Sequence, residues 1–492
     1  MSRIFLYLTI FLTGAAVLIL EVTATRILAP FFGNTIFSLS SVLTVILTAL
    51  SLGYYFGGRI ADRFPHPRIF YFFITVSGLA TFFIKIIGVV LLPVFSSIFS
   101  LAVGPLVSSL LLFLLPAFIL GTLSPFAIKL SSGFFPPEKI GQASGIVFFW
   151  STLGSIIGSL STGFLLIPNF GIDKIIYGTA IGLTLLGLAG TRLKFHPLPI
   201  FAVLILLLQI LLVSSLSPSP DNPLIYSADG FYQKISVSQP HSTPAVRYLI
   251  QDRNVSAATY LESDDHVFPY TRYADLYRIF NPSARTALVI GAGAYTIPKA
   301  LLNSDPSFRV DVIDIEPGLY ELSEKYFRLK PSNRLRNFIS DGRYFLTRNS
   351  KKYDLIFSDA YYSLLSIPAH LTTVEFFSLA RSRLNPGGMF IGNFVGNLTP
   401  VIPSYFYSQL KTFTYVFPQT WVFALNPSRP DSVQNILIVG INSDSPAEFD
   451  TSSHADTFIN TSAVNLSAYP VFTDNYNPAE YILAQTLTDK YR

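Results

Sequence analysis

Cysteine is absent from the 492 residues, which excludes disulfides and thiolate metal sites. The six histidines show no metal-ligand spacing. Charged residues are scarce at 13%, where a soluble domain carries about 25%. No basic run with interleaved aromatic residues occurs, so the net charge of +5 reads as membrane orientation and not as nucleic-acid binding.

What the chain has in excess is hydrophobic sequence, which makes up half of it. The excess lies before residue 215, and the composition beyond 221 is that of an ordinary globular domain. A bilayer core takes about 20 apolar residues per helix, and seven runs approach that length: 4–20, 36–57, 69–93, 103–128, 143–167, 175–190 and 198–213. The first continues through Glu21 to Arg26 without a small-residue cleavage site, so it reads as a helix and not as a cleavable signal. These runs predict a multi-pass protein of the cell membrane, with the lipid bilayer as partner.

Basic residues fall in alternate loops, at Arg59, Arg63 and Arg68, at Lys129 and Lys139, and at Arg192 and Lys194. The positive-inside rule makes those loops and Arg3 cytoplasmic. Seven crossings then put the C-terminal domain outside. A third short helix within 69–128, around Lys85, would make eight and return it to the cytoplasm. Glu21 and Arg26, near the expected end of the first helix, read either as a functional intramembrane pair or as an interfacial one. Gly145, Gly154, Gly158 and Gly163, with serines between them, suit close helix packing.

The division expected is a transmembrane bundle of about seven helices over 1–215, a linker over 216–225 that overlaps the Pro- and Ser-rich stretch SSLSPSPDNP of residues 214–223, and a soluble domain over 226–492. Residues 231–237 and 246–250 alternate like strands and predict a small β-subdomain. An alternating strand and helix pattern follows. Strand 286–290 runs into Gly291, Ala292, Gly293 and Ala294 and then a helix, an arrangement that brings backbone N–H groups up to a ligand. Strand 310–313 ends in Asp314, with Glu316 two residues on, placed to accept ribose hydroxyls. Asp341 and Gly342 follow a third strand, where a carboxylate reaches an adenine amino group. A fourth strand, 354–359, ends in Asp359. Residues 372–384 read as a helix and 389–393 as a fifth strand. The order is that of a class I methyltransferase-type Rossmann-like sheet, an α/β fold. A pyrophosphate site prefers a third glycine, and Tyr295 and Thr296 stand there instead, so a sulfonium nucleoside fits better than a dinucleotide.

Asp359 is the best-placed base for transfer to an amine. Tyr361 and Tyr362 beside it offer aromatic faces to a sulfonium. The bland alternative is an acid that caps the next turn and tyrosines that only line a cleft.

The segment from Glu21 to Arg63, ending GGRIADR, together with these motifs, resembles the membrane-embedded spermidine synthase-like (polyamine aminopropyltransferase) family over about 250 residues of the soluble half. The resemblance implies that Gly291 and Gly293 form the glycine loop, that Asp314 and Glu316 hold the ribose, that Asp341 and Gly342 lie on the adenine side and that Asp359 is catalytic. It implies substrate positions at Gln233, after Tyr232, at Tyr270 and at Asp474 in TDNYNPAEY, which join Tyr361 and Tyr362, placed at the substrate by their position beside Asp359. It also implies a small-molecule amine substrate, decarboxylated S-adenosylmethionine as co-substrate with no prosthetic group, and self-association. The family's glycine-loop aspartate is Ala294 here, the residues after Tyr270 are Thr271 and Arg272, and a second aspartate beyond Asp359 is Tyr362. The reading is an aminopropyltransferase giving spermidine from putrescine or a related amine. Two others stand beside it: an S-adenosylmethionine-dependent methyltransferase, and a polyamine transporter or sensor with a regulatory soluble domain.

Overall fold

The computed structural model describes residues 2–191, 223–361, 368–443 and 455–488. The chain divides into two compact units, Met1–Pro218 and Ser219–Arg492. The first is helical, as its long apolar runs require. Its helices are α1 (Arg3–Phe32), α2 (Ile36–Arg63), α3 (Pro67–Ile98), α4 (Gly104–Ser132), α5 (Ile140–Ser161, extended by a π-helical turn and a short α-turn to Phe170) and α6 (Ile172–Gly190). Among the described residues, six helical segments are long and apolar enough to cross a membrane.

Side-chain hydroxyls satisfy N–H groups left over at the helix starts. Ser2 accepts from the Phe5 N–H at 3.2 Å and Thr35 from the Ser38 N–H at 3.3 Å. Helix α1 does not end near Glu21. It continues until Gly33, whose φ of 76° stops it, so Glu21 and Arg26 lie inside the helix. The stretch 69–128 holds two long helices, not three, which removes the extra crossing sought around Lys85. The seventh run, 198–213, and most of the linker lie outside the described residues.

Glycine allows the closest approaches. A Cβ on Gly158 would come 2.6 Å from the Ala15 carbonyl oxygen, and one on Gly154 would strike the Phe11 carbonyl. Ser155 donates to the Gly14 carbonyl at 3.0 Å. These two glycines pack α5 onto α1, whereas Gly145 and Gly163 have open space beside them, so the packing expected of all four holds for two.

The second unit opens with an antiparallel sheet in the order β1 (Leu224–Asp229), β2 (Lys234–Ser238), β3 (Val246–Gln251), β4 (Asn254–Tyr260). Residues 231–233, expected in a strand, form the β1–β2 turn, because the backbone N–H groups of Phe231 and Tyr232 donate to Glu316. The main sheet contains β5 (Thr286–Ile290), β6 (Arg309–Asp314), β7 (Leu335–Ile339), β8 (Tyr353–Ser358), β9 (Leu384–Gly396), β10 (Thr420–Ala424) and β11 (Gln434–Ile441). Its order is β10-β11-β9-β8-β5-β6-β7. The ladder is parallel from β9 to β7, and β11 runs antiparallel to both β9 and β10. This is the class I methyltransferase-type arrangement.

Helices α7 (Thr296–Ser304) and α8 (Leu319–Tyr326) cover one face; α9 (Gly342–Arg348), α10 (Val374–Ser382) and α11 (Tyr405–Thr414) cover the other. Strand alternation explains both layers. Ala287 and Val289 of β5 pack with Leu301 and Leu322, while Leu288 and Ile290 pack with Phe345, Phe376 and Phe413. A strand buried on both faces must be apolar throughout, and each such valine or leucine contributes about 1.5–3 kcal/mol. The chain proceeds from β5 outward to β7, then returns to β8 on the other side of β5. Between β5 and β8 lies the switch point, beyond whose carboxyl ends α/β sheets bind ligands.

Candidate functional site

Each parallel strand delivers one functional group to that end. Gly291 leaves β5 with φ 95°, a conformation in which glycine is favoured. A Cβ there would strike the Asp359 carbonyl oxygen. The tight turn is tied by the Gly291 N–H to Ile313 O at 2.9 Å and the Asp359 N–H to Ile290 O at 2.8 Å. Gly293 is also left-handed, and a Cβ on it would meet Ala257 at 3.4 Å, so the β-subdomain closes over the glycine loop.

Asp314 ends β6. It accepts from the Ala292 N–H at 2.7 Å and from the Glu316 N–H at 2.9 Å. Burial raises its pKa to about 6, against these N–H groups and that of Ile315, with the charge of Glu316 adding to the rise. Glu316 is 4% exposed, and its two oxygens accept the N–H groups of Phe231 and Tyr232 at 3.1 and 3.0 Å. It therefore ties the β-subdomain to the sheet. Beyond β7, Asp341 caps α9 through the Tyr344 N–H at 2.9 Å and holds His370 Nε2 at 2.7 Å. Burial pushes the Asp341 carboxyl up, but the bonds from His370 and Tyr344 outweigh it and hold the group below the usual range.

Asp359 follows β8. Tyr270 donates to its Oδ2 at 2.9 Å and Asn393 Nδ2 to its Oδ1 at 2.8 Å. Both donors are neutral, and burial outweighs them to raise the pKa. Burial and the adjacent carboxylate push the Tyr270 hydroxyl far up, so it stays a donor. Asn435 Nδ2 donates to Asn393 Oδ1 at 3.1 Å and extends the chain of polar groups. The Tyr361 hydroxyl is held by the backbone, donating to Asn393 O at 2.7 Å and accepting from the Val395 N–H at 3.1 Å. On the β-subdomain, Gln251 donates to Gln233 at 2.7 Å.

One cleft of about 360 Å³ brings together Gln233, Tyr270, Gly291, Gly293, Asp314, Glu316, Asp341, Gly342, Asp359 and Tyr361. Its lining includes four carboxylates and, among the described residues, no lysine, arginine or histidine. Such walls favour a cation. Tyr362 lies outside the described residues. Asp474 does not line the cleft, which corrects its expected place beside the substrate. Its carboxylate forms a bidentate pair with Arg343 at 2.7 and 2.5 Å and accepts from Thr373 at 2.9 Å.

Residues 273–425 match the spermine/spermidine synthase domain. This unit therefore carries a spermine/spermidine synthase domain. It is 30% identical over 197 residues to a polyamine aminopropyltransferase from Vibrio vulnificus (strain CMCP6), covering 38% of this chain and 66% of that one. A polyamine aminopropyltransferase from Corynebacterium efficiens is 28% identical over 269 residues, 49% of each chain. The chain thus spans less than two thirds of either relative. The crystal structure of a probable spermidine synthase from Corynebacterium glutamicum ATCC 13032 is 20% identical, with a TM-score of 0.45, covering 52% of this chain and 98% of that one.

Within the second unit, sequence reasoning missed Asn393, Asn435, Gln251 and His370. Asn393 had a signal, a lone amide inside the apolar run Met389–Val395. His370 had none, because its partner Asp341 is 29 residues away.

Proposed function

We propose that the protein is a membrane-anchored aminopropyltransferase that moves a propylamine group from decarboxylated S-adenosylmethionine to an amine such as putrescine, which would give spermidine. The observation that carries this reading is the cleft lined by four carboxylates and, among the described residues, by no basic side chain. The decarboxylated donor has a sulfonium and an ammonium and no negative group, so this cleft complements it.

In this reading the ribose hydroxyls donate to Asp314, whose oxygens each keep a lone pair beyond the backbone N–H bonds already made. Glu316 holds the β-subdomain over the ligand. The adenine lies between Ile290 and Ile313, near Asp341 and Gly342. Gly291 and Gly293 let the backbone approach the nucleoside, and Tyr361 lends its ring to the sulfonium. The acceptor nitrogen attacks the propyl carbon bonded to sulfur. The N–C bond forms, the C–S bond breaks, and its electron pair returns to sulfur to leave neutral methylthioadenosine. The new ammonium gives a proton to Asp359. A carboxylate whose pKa lies above the usual range is a better base for this step than an ordinary one, and Tyr270 and Asn393 hold it in place. Gln233 is the substrate-side contact of the β-subdomain. The membrane bundle spans 1–215, with 216–225 as linker and 226–492 as the transferase domain.

A methyltransferase reading has one feature in its favour. Ala294, buried in the glycine loop, supplies no carboxylate for a propyl ammonium. Mass spectrometry of products decides between them. The full chain in lipid nanodiscs, given either donor and putrescine, is expected to yield methylthioadenosine and an aminopropylated amine from the decarboxylated donor alone. A methylated product from S-adenosylmethionine overturns the assignment, and binding without turnover leaves the transporter or sensor reading.

A further inference from the structure

The carboxylates of the cleft are not evenly distributed. In the strand order, β6 and β7 lie on one side of the switch point, and they bring Asp314, Glu316 and Asp341. On the other side lie β8, β9 and β11, which bring Asp359, Asn393 and Asn435. That side contains one carboxylate among the described cleft residues, and beyond it two amides in series: Asn393 donates to Asp359, and Asn435 donates to Asn393. Leu371, Val395 and Leu425 complete the lining there.

The amine end that attacks is neutral and becomes an ammonium only as the N–C bond forms, and Asp359 faces that charge and takes the proton. A diamine brings a second ammonium, which here meets the Asn435 amide and apolar side chains. A desolvated charge without a counter-charge is costly, whereas a hydroxyl or amide end finds in Asn435 both a donor and an acceptor.

Resting on the transferase reading, we infer that the acceptor is a primary amine with one positive charge and a neutral, hydrogen-bonding tail, in preference to a diamine. Asn435 is the residue that sets this preference.

The test compares 4-amino-1-butanol with putrescine, two acceptors of equal length in which a hydroxyl replaces one ammonium. The full chain in nanodiscs, with the decarboxylated donor, is expected to show a kcat/KM for the amino alcohol at least about tenfold above that for putrescine. Asn435→Asp is expected to move that ratio at least about tenfold toward putrescine by restoring a counter-charge. The ratio compares two substrates on one preparation, so partial misfolding of the variant does not alter it. A wild-type preference for putrescine, or a ratio unmoved by Asn435→Asp, overturns the inference and leaves the transferase standing. No aminopropylated product from either amine overturns both.

Discussion

Replacing Asp359 with asparagine separates catalysis from stability in a way that few other positions here allow. The side chains are nearly isosteric, and the hydrogen bonds have somewhere to go. The replacement amide oxygen keeps the Asn393 donor, and the Tyr270 hydroxyl turns from donating to accepting. What is lost is charge. A carboxylate and an ammonium about 4 Å apart, at an effective dielectric of about 20, attract by about 4 kcal/mol. That corresponds to roughly a thousandfold in kcat/KM. Stability moves the other way. The Asp359 carboxyl has a raised pKa in the folded protein because it is buried. The protonated form is the one the fold favours, so its contribution is complete below the unfolded carboxylate range and is lost as pH rises through the folded value. At pH 8 the ionised group is a cost that the amide lacks. Asp359→Asn is therefore expected to raise Tm at pH 8, and by more than at pH 4, while methylthioadenosine formation falls about a thousandfold. Activity within about tenfold of wild type, or a lower Tm at pH 8, refutes the reasoning.

Three further expectations follow from the same geometry. Donor affinity should rise with pH through about 6 if, as proposed, ribose hydroxyls donate to ionised Asp314, since that is where its carboxyl titrates. In the unliganded protein this group's stability is complete below its ordinary value of 3.8 and lost through about 6, and calorimetry with Asp314→Asn should show a flat affinity profile. Glu316→Gln turns one N–H acceptor into a donor and should cost about 1–3 kcal/mol, with faster hydrogen exchange at Phe231 and Tyr232; unchanged exchange there contradicts the tie. Asp474→Asn breaks an ion pair whose side chains are 40% and 25% exposed, so after solvent screening it should cost at most about 1 kcal/mol and leave kcat/KM within about threefold. A loss beyond about tenfold would return Asp474 to the substrate site.

The main sheet was legible because its strands are apolar runs that stop at glycine or aspartate. β5 was bounded correctly, and β6 and β8 within a residue or two, since burial on both faces leaves no other composition open to them. Strand β4 was missed because NVSAATY lacks alternation and a clear apolar face. The carboxylates could be located from where strands end, but not their partners. Glu316 reads from the sequence as a second ribose ligand, and its tie to the N–H groups of residues 84 and 85 positions earlier is not visible there. The Asp359 environment likewise depends on Tyr270, 89 residues before it, and Asn393, 34 after. Such pairings are set by the sheet order, which local sequence does not encode. In the first unit, helix length misled more than helix count: the first apolar run reads as ending near Glu21, yet α1 runs on to Phe32.

The central claim is that the cleft is built for a donor with two positive charges and no negative one. Isothermal titration of the full chain in nanodiscs with decarboxylated S-adenosylmethionine and with S-adenosylmethionine tests it directly. The account expects the decarboxylated form to bind at least about tenfold tighter, since a carboxylate added among Asp314, Glu316, Asp341 and Asp359 meets no basic partner among the described lining residues. Equal affinity, or tighter binding of the carboxylated form, contradicts it.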